Sequence, residues 1–119
     1  MTDLLNQLLR FHAQARLLHW QTTSYARHIA YGKLYDDLGD QIDDLVETIQ
    51  GKYPRLKVDG PILVDNLGDG DAALFLEELV DYLIGLSEVF PEPSDSDLLN
   101  KRDEMLASAN RIRYLLSLS

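Results

Sequence analysis

Apolar side chains in the second quarter of the chain recur at spacings of four and three, the repeat that places side chains on one face of an α-helix. The row consists of Tyr31, Tyr35, Leu38, Ile42, Leu45 and Ile49. A helix with one apolar face buries that face against other elements. The row therefore predicts a helix over about residues 26–50, capped by Ser24, ended by Gly51 and packed into a bundle.

Three further rows share this periodicity and predict helices over about residues 3–21, 71–90 and 96–117. The rows are Leu4, Leu8, Phe11, Ala15 and Leu18; Leu76, Leu79, Leu83, Leu86 and Phe90; and Leu98, Met105, Ala109, Ile112 and Leu116. The predicted caps are Thr2 or Asp3, then Asp71, then Ser94, Asp95 and Ser96. Four helices with one apolar face each predict an all-α, four-helix bundle that forms a single domain over residues 1–119.

The link between the second and third predicted helices is long and rich in glycine and proline, over about residues 51–70. Roughly twenty residues can run the ~30 Å length of such a bundle, so the two helices it joins can be parallel. This is ferritin-like connectivity. Residues 62–64 are the only apolar run in the link, and they predict a short strand or, preferably, a strap laid over the bundle or a neighbouring subunit.

The charge and amino-acid composition of the chain argue against several classes of function. The net charge of -9 argues against a surface that binds nucleic acid, which needs a basic patch. The chain has no cysteine, so a metal would be held by histidine and carboxylate alone. No membrane span or signal peptide is indicated, and we expect a cytoplasmic protein.

Acidic residues form a second row on the second predicted helix. They are Asp36, Asp40, Asp43 and Glu47, offset by one residue from the apolar row and hence on a different face. Such a row is commonly a solvated face. An alternative interpretation is that the row is half of a metal site, because His12, His19 and His28 precede it. Each histidine has an alternative interpretation of its own, as a hydrogen-bonded packing residue.

The segment HWQTTSYARHIAYGKLYDDLGDQIDDLVE resembles the signature of the Dps-like mini-ferritins, and DSDLLNKRDEM is similar to the start of that family's last helix. The resemblance implies metal ligands at His19, His28, Asp43 and Glu47, with iron as the metal and a site between two subunits. It implies iron uptake or ferroxidase activity. Trp20 or Tyr35 would then lie near enough to quench radicals.

Two departures from that family are visible in the sequence. Gly32 stands where the family has an aspartate ligand, so Asp36 and Asp40 become candidates to supply the missing carboxylate. The family's basic N-terminal extension is also missing. The chain further resembles a group of short ferritin-like proteins that tailed phages encode. This second resemblance implies a fold and no established activity. The alternative function is a non-catalytic ferritin-like structural or regulatory module with a degenerate metal site, and Gly32 favours it.

Large apolar residues outside the predicted core rows indicate self-association. Leu17, Trp20 and the run over 62–64 have no place in the apolar rows of one bundle, and we expect a homo-oligomer, a dimer or larger. In that assembly one ion would be held by the two histidines of one subunit and by Asp43 and Glu47 of another.

Overall fold

The computed structural model describes residues 1–119 and contains four α-helices and no β-strand, which confirms the all-α prediction. The helices are α1 (Leu4–Gln21), α2 (Tyr25–Lys52), α3 (Ala72–Gly85) and α4 (Ser96–Ser117). Two short 3-10 helices, Asp69–Asp71 and Leu86–Glu88, precede and follow α3.

The apolar rows of the four helices meet in one core of 24 buried residues. All residues of the first and third predicted apolar rows are buried, including Leu86 and Phe90 beyond the end of α3. In the other two rows, Tyr35 in α2 and Leu116 in α4 are only partly buried. Phe11 of α1 packs on Phe75 and Tyr82 of α3, with ring centroids 6.0 and 5.6 Å apart. Burial of these side chains is the dominant stabilising term, because transfer of apolar surface out of water drives folding.

The helices run up, down, down and up in chain order. A short turn makes α2 antiparallel to α1. Along α2, residues Gln41, Asp44 and Lys52 pair with progressively earlier residues of α4, at Ser108, Lys101 and Asp97, so α4 is antiparallel to α2. The short link after α3 returns the chain antiparallel into α4, which leaves α2 and α3 parallel.

Several boundaries differ from the sequence-based expectation. Helix α2 continues through Gly51 to Lys52 and ends before Pro54, whose ring disfavours helical geometry in the residue preceding it. Helix α3 ends at Gly85 rather than near residue 90, and the 3-10 helix Leu86–Glu88 follows it directly. Ser24 caps α2 by accepting from the amide of Arg27, as predicted.

The other three helices begin at predicted cap residues, but the predicted side-chain cap hydrogen bonds are absent. Asp3, Asp71 and Asp95 occupy the N-cap positions of α1, α3 and α4, and none of them makes a side-chain cap hydrogen bond. The Asp71 carboxylate accepts from the Gly68 amide. Asp95 is 1% exposed, and its carboxylate accepts from the Tyr53 hydroxyl and from Lys52 at 2.8 Å. The longer-range partners of Asp95 displace the local cap.

The link over residues 53–68 is a strap that follows α1, with no strand in it. Asn6 bonds both backbone groups of Asp59, donating to its carbonyl at 2.7 Å and accepting from its amide at 2.9 Å. Gln14 does the same with Asp65, with both distances 2.7 Å. The strap is therefore held by carboxamides that replace the backbone partners a strand would have.

No helix combines the length and the apolar surface that spanning a bilayer requires.

Candidate metal site

The structure brings His19 and His28 together where α1 ends and α2 begins. Their rings stack with centroids 3.8 Å apart and planes 17° from parallel. Nδ1 of His19 lies 2.7 Å from the carbonyl oxygen of His28, and Nδ1 of His28 lies 2.7 Å from the carbonyl oxygen of His19. The two residues thus form a reciprocal pair across the helix turn.

This reciprocal bonding fixes the tautomer of each neutral ring. A carbonyl oxygen only accepts hydrogen bonds, so both Nδ1 atoms donate, and Nε2 carries the lone pair. Neither Nε2 has a partner within the chain. Histidines that bind metals commonly donate their other ring N–H to a carbonyl in this way, which makes each Nε2 a suitable metal ligand.

The stacking also limits what the pair can bind. The lone pair of Nε2 lies in the plane of its ring, and two nearly parallel planes at this separation do not meet within the ~2 Å of a metal–nitrogen bond. As the rings stand, the two Nε2 lone pairs do not converge on one ion, and a single ion shared by His19 and His28 would require one ring to turn.

Gly32 leaves the space that the His19 ring occupies. A Cβ atom at position 32 would lie 2.9 Å from Nδ1 and Cε1 of His19, closer than side chains pack. An aspartate at this position would require the His19 ring to move. Gly32 therefore has a packing role between α1 and α2, and it also lacks the carboxylate that the resembled family has at this position.

The same contact is repeated one heptad away. A Cβ at Gly39 would lie 3.2 Å from Nε2 of His12, whose ring stacks on Tyr35 with centroids 3.9 Å apart. Nε2 of His12 donates to the Tyr35 carbonyl at 3.0 Å. Burial lowers the pKa of His12, the Tyr35 carbonyl opposes that shift, and Arg16 adds to it. His12 is a packing histidine whose Nε2 is already used.

The acidic row of α2 lies on the outer surface. Asp36, Asp40, Asp43 and Glu47 are all exposed, and no ion pair of the chain involves any of them. Neighbouring acids off the row are paired, Asp37 with Lys33 at 3.3 Å and Asp44 with Lys101 at 2.6 Å. The row is thus a line of four carboxylates without a cation from their own chain.

One chain does not bring the predicted ligands together. His28 and Asp43 lie on one continuous helix, and fifteen residues at 1.5 Å each separate them by roughly 22 Å. No three His, Cys, Asp or Glu side chains of the chain are grouped closely enough to hold a metal ion. The histidine pair and the acidic row could serve one site only if different copies of the chain supplied them.

A groove lies between α1, the strap and Tyr35 of α2, and His12 is part of its lining. Its volume is about 470 Å³, and its lining includes Leu9, Ala13, Leu17, Trp20, Ile62 and Val64. Trp20, which lies at one end of this groove, is 66% exposed. Arg16 lies over the Tyr35 ring at 3.7 Å and near the Trp20 ring at 5.4 Å. The apolar residues that sequence analysis placed outside the core therefore share one surface.

Sequence analysis missed the roles of Gly32 and Gly39. The signal for them was present, because these glycines are seven residues apart, as are His12 and His19 on the facing helix. Matched heptad spacings on two antiparallel helices indicate repeated contacts between them. Sequence analysis also missed Gln14, a polar residue within the apolar face of α1 that is only 2% exposed.

No curated protein and no solved structure matches the sequence. One family model does match, described as a family of unknown function (DUF5856), and it covers residues 19–116, which include the histidine pair, the acidic row and helices α2 to α4. Because the match extends over most of the chain, the protein belongs to this DUF5856 family.

Proposed function

We propose that the chain is a ferritin-like, Dps-like metal-binding protein that takes up or oxidises iron, with iron as its substrate. His19 and His28 supply imidazole ligands, and Asp43 and Glu47 of another copy supply carboxylates. Asp36 and Asp40 lie on the same row and are available where the family's additional aspartate is replaced by Gly32. The observation that carries the proposal is the reciprocal histidine pair, whose two Nδ1 atoms donate to carbonyls.

The donor chemistry suits divalent iron. Imidazole nitrogen and carboxylate oxygen bind Fe(II), Mn(II) and Zn(II), and none of these ions requires a thiolate. The stacked geometry leads us to assign the two imidazoles to separate ions or separate ligand sets, each completed by carboxylates. Unpaired, exposed carboxylates are free to approach a partner's histidines, whereas Asp37 and Asp44 already pair with lysines.

The proposal requires an oligomer, a dimer or larger. The apolar groove along α1 and the exposed Trp20 support it, because a contiguous apolar surface of this kind is commonly a protein interface. The net charge of -9 disfavours binding to nucleic acid and to anionic membrane surfaces.

The alternative is a non-catalytic ferritin-like structural or regulatory module with a degenerate metal site, of phage origin. The contact between Gly32 and His19 favours it. The aspartate ligand of the mini-ferritins is replaced here by Gly32, which lets the His19 ring pack against α2. In this alternative the histidine pair only fastens α1 to α2, and the acidic row is a solvated face.

Anaerobic titration with Fe(II), joined to sedimentation analysis, distinguishes the two functions. Under the proposal the wild type is oligomeric and binds Fe(II) saturably, and the double variant Glu47→Gln, His28→Ala loses at least about tenfold in affinity. A matched control, Glu77→Gln, removes an exposed carboxylate of α3 and keeps wild-type binding. Admission of oxygen then oxidises the bound iron faster in the wild type than in the double variant.

Equal and weak binding by wild type and double variant would assign the acidic row to solvent and favour the structural module. A monomer at micromolar concentration would remove the intersubunit site, because one chain does not group the ligands.

A further inference from the structure

The groove between α1 and the strap has the size of a ligand pocket and a mostly apolar lining. Its volume of about 470 Å³ lies within the range of cavities that bind small molecules. Along α1 the lining extends from Leu9 to Trp20, roughly 16 Å at 1.5 Å per residue. The groove is therefore elongated, and it suits a ligand that is longer than it is wide.

The strap closes one side of this groove. Its backbone bonds α1 at Asn6 and again at Gln14, three residues before and three residues after Ile62. Ile62 therefore lies opposite the part of α1 between these bonds, where Leu9 and Ala13 also line the groove. Aliphatic side chains thus face each other across this half of the groove, and they favour an apolar ligand body.

Arg16 is a half-buried residue of the lining that has no hydrogen-bond acceptor. No hydrogen bond or ion pair within the chain involves it. Its guanidinium lies 3.7 Å from the centre of the Tyr35 ring, a cation–π contact that uses no acceptor. By contrast, Arg10, Arg27 and Arg102 each donate to an oxygen atom of the chain. The N–H donors of Arg16 are therefore available to an anion in the groove.

The other charges around the groove do not neutralise Arg16. His12 also lines the groove, but burial lowers its pKa, so its ring is neutral near pH 7. Two carboxylates follow lining residues in the sequence, and neither of them lines the groove. Asp36 is exposed, so its charge, which raises the pKa of His12, is screened by water and salt. Asp65 lines a separate cavity beside Arg10. A ligand in the groove would thus contact one permanent charge, and that charge is positive.

We propose that this groove binds an organic carboxylate with an elongated apolar body, of the kind found in medium-chain fatty acids. The carboxylate accepts hydrogen bonds from the Arg16 guanidinium, and the apolar body packs against Leu9, Ala13 and Ile62. Arginine has paired donors that match the two oxygens of a carboxylate. A cation is repelled by Arg16, and a neutral alcohol forms no charge-assisted hydrogen bond with it.

This ligand site is separate from the proposed iron site. None of the iron ligands His19, His28, Asp43 and Glu47 lines the groove, so either proposal can fail without the other. Trp20 is 66% exposed, so apolar surface at the end of the groove remains for contact with another copy of the chain.

The test uses hexanoate as the probe, with 1-hexanol as its neutral counterpart and hexylamine as its cationic one, each titrated into the full chain. The chain has a single tryptophan, so fluorescence and the indole N–H signal in ¹H–¹⁵N NMR both report on Trp20 in the groove. We expect saturable changes with hexanoate and a dissociation constant of about 1 mM, the order expected for a ligand of this size. Hexanol and hexylamine bind at least about tenfold more weakly, and raised salt weakens the binding of hexanoate.

Variants assign the site. Arg16→Met removes the charge but keeps an apolar stem, so it weakens hexanoate at least about tenfold and leaves hexanol unchanged. Arg16→Lys keeps the charge without the paired donors and gives an intermediate affinity. Ala13→Leu fills part of the groove and weakens both molecules, while an unchanged thermal midpoint establishes that the chain is folded. Arg113→Met, the matched control, removes an exposed arginine of α4 and binds hexanoate as the wild type does.

Three results would overturn the proposal. If hexanol or hexylamine binds as tightly as hexanoate, Arg16 does not select a carboxylate. If Arg16→Met keeps the wild-type affinity, hexanoate binds elsewhere. Absence of saturable changes with hexanoate up to about 20 mM, well above the expected constant, would also reject the site. In that case, weaker self-association of Arg16→Met in sedimentation would show that another copy of the chain occupies the groove.

Discussion

Gly32 and His19 pack so closely that a Cβ atom at position 32 would lie 2.9 Å from two atoms of the imidazole. The ring cannot withdraw freely, because its Nδ1 donates to the carbonyl of His28 and its face stacks on the His28 ring. The orientation of the best candidate ligand in the chain therefore depends on the absence of a side chain on the neighbouring helix.

The first prediction concerns that contact. Alanine at an open helical position is more stable than glycine by about 1 kcal/mol, but forcing a methyl group into a filled space costs about 1–3 kcal/mol. We expect Gly32→Ala to lower the free energy of unfolding by about 1 kcal/mol, measured by urea denaturation. The matched control is Gly51→Ala, also in α2, where a Cβ meets nothing within 4 Å. That variant should be at least as stable as wild type, and an equal gain in both variants would contradict the close contact.

The sequence predicted the core rows because helical periodicity and burial share one physical cause, the removal of apolar side chains from water. Even Arg102, which lies between Leu98 and Met105 where the apolar row of α4 is interrupted, is only 8% exposed. The long link likewise predicted a strap and parallel second and third helices. Chain length and the distance to be covered were sufficient for that inference.

The caps and the site geometry depend on partners far away in sequence. Asp95 bonds Tyr53, 42 residues earlier, and so does not cap α4 as its local sequence indicated. The contact between His19 and Gly32 similarly depends on the register of two helices. The spacing alone located the row of carboxylates on its face of α2, but the positions of the histidines relative to that row depend on how the helices pack.

The second prediction concerns pH. Burial lowers the pKa of His12, so the folded chain binds a proton there less readily than the unfolded chain does. His12 therefore has little effect on stability while it is neutral in both states. As pH falls below about 6.5, the ordinary histidine value, the unfolded state is protonated first and the folded state loses stability.

Urea denaturation of wild type and His12→Gln between about pH 8 and pH 5 measures this effect. Glutamine retains a donor for the Tyr35 carbonyl but does not titrate. The wild type should lose more stability than His12→Gln over this interval, with the difference arising below about pH 6.5. Parallel pH profiles for the two proteins would show that protonation of His12 is not coupled to unfolding.

The third prediction concerns the strap. Gln14 is buried and bonds both backbone groups of Asp65 at 2.7 Å, so its carboxamide is the partner that protects the Asp65 amide from solvent. Replacing it with leucine keeps the volume near that of glutamine and removes both bonds. We expect hydrogen exchange at the Asp65 amide to accelerate at least about tenfold in Gln14→Leu. In the wild type the amide must first be released from its hydrogen bond to Gln14, and in the variant that bond is absent.

A second amide serves as the internal control for the strap. The Asp59 amide bonds Asn6, and its exchange should be unchanged in Gln14→Leu and accelerated in Asn6→Ala. If Gln14→Leu accelerated both amides equally, the strap would open as one unit and the separate carboxamide contacts would not act independently.

The last prediction concerns Arg102, which joins α4 to the end of α3. Its Nη1 atom donates to the Leu83 carbonyl at 2.8 Å and to the Ser87 hydroxyl at 3.0 Å. Cationic donors at a helix C-terminus also interact favourably with the helix dipole. Arg102→Met keeps the apolar stem within the core but removes these charge-assisted hydrogen bonds, and we expect the free energy of unfolding to fall by about 2 kcal/mol.

Two further variants separate this effect from loss of charge. Arg102→Lys keeps the charge with a shorter ammonium donor, so its stability should lie between those of wild type and Arg102→Met. Arg113→Met removes an exposed arginine of the same helix that makes no hydrogen bond or ion pair, and it should stay within about 0.5 kcal/mol of wild type. Hydrogen exchange gives the local readout, because the amides of Val89 and Phe90, which donate to the Leu86 carbonyl, should exchange faster in Arg102→Met. If Arg102→Met were as stable as wild type, burial of its apolar stem, rather than its hydrogen bonds to α3, would account for the position of Arg102 in the core.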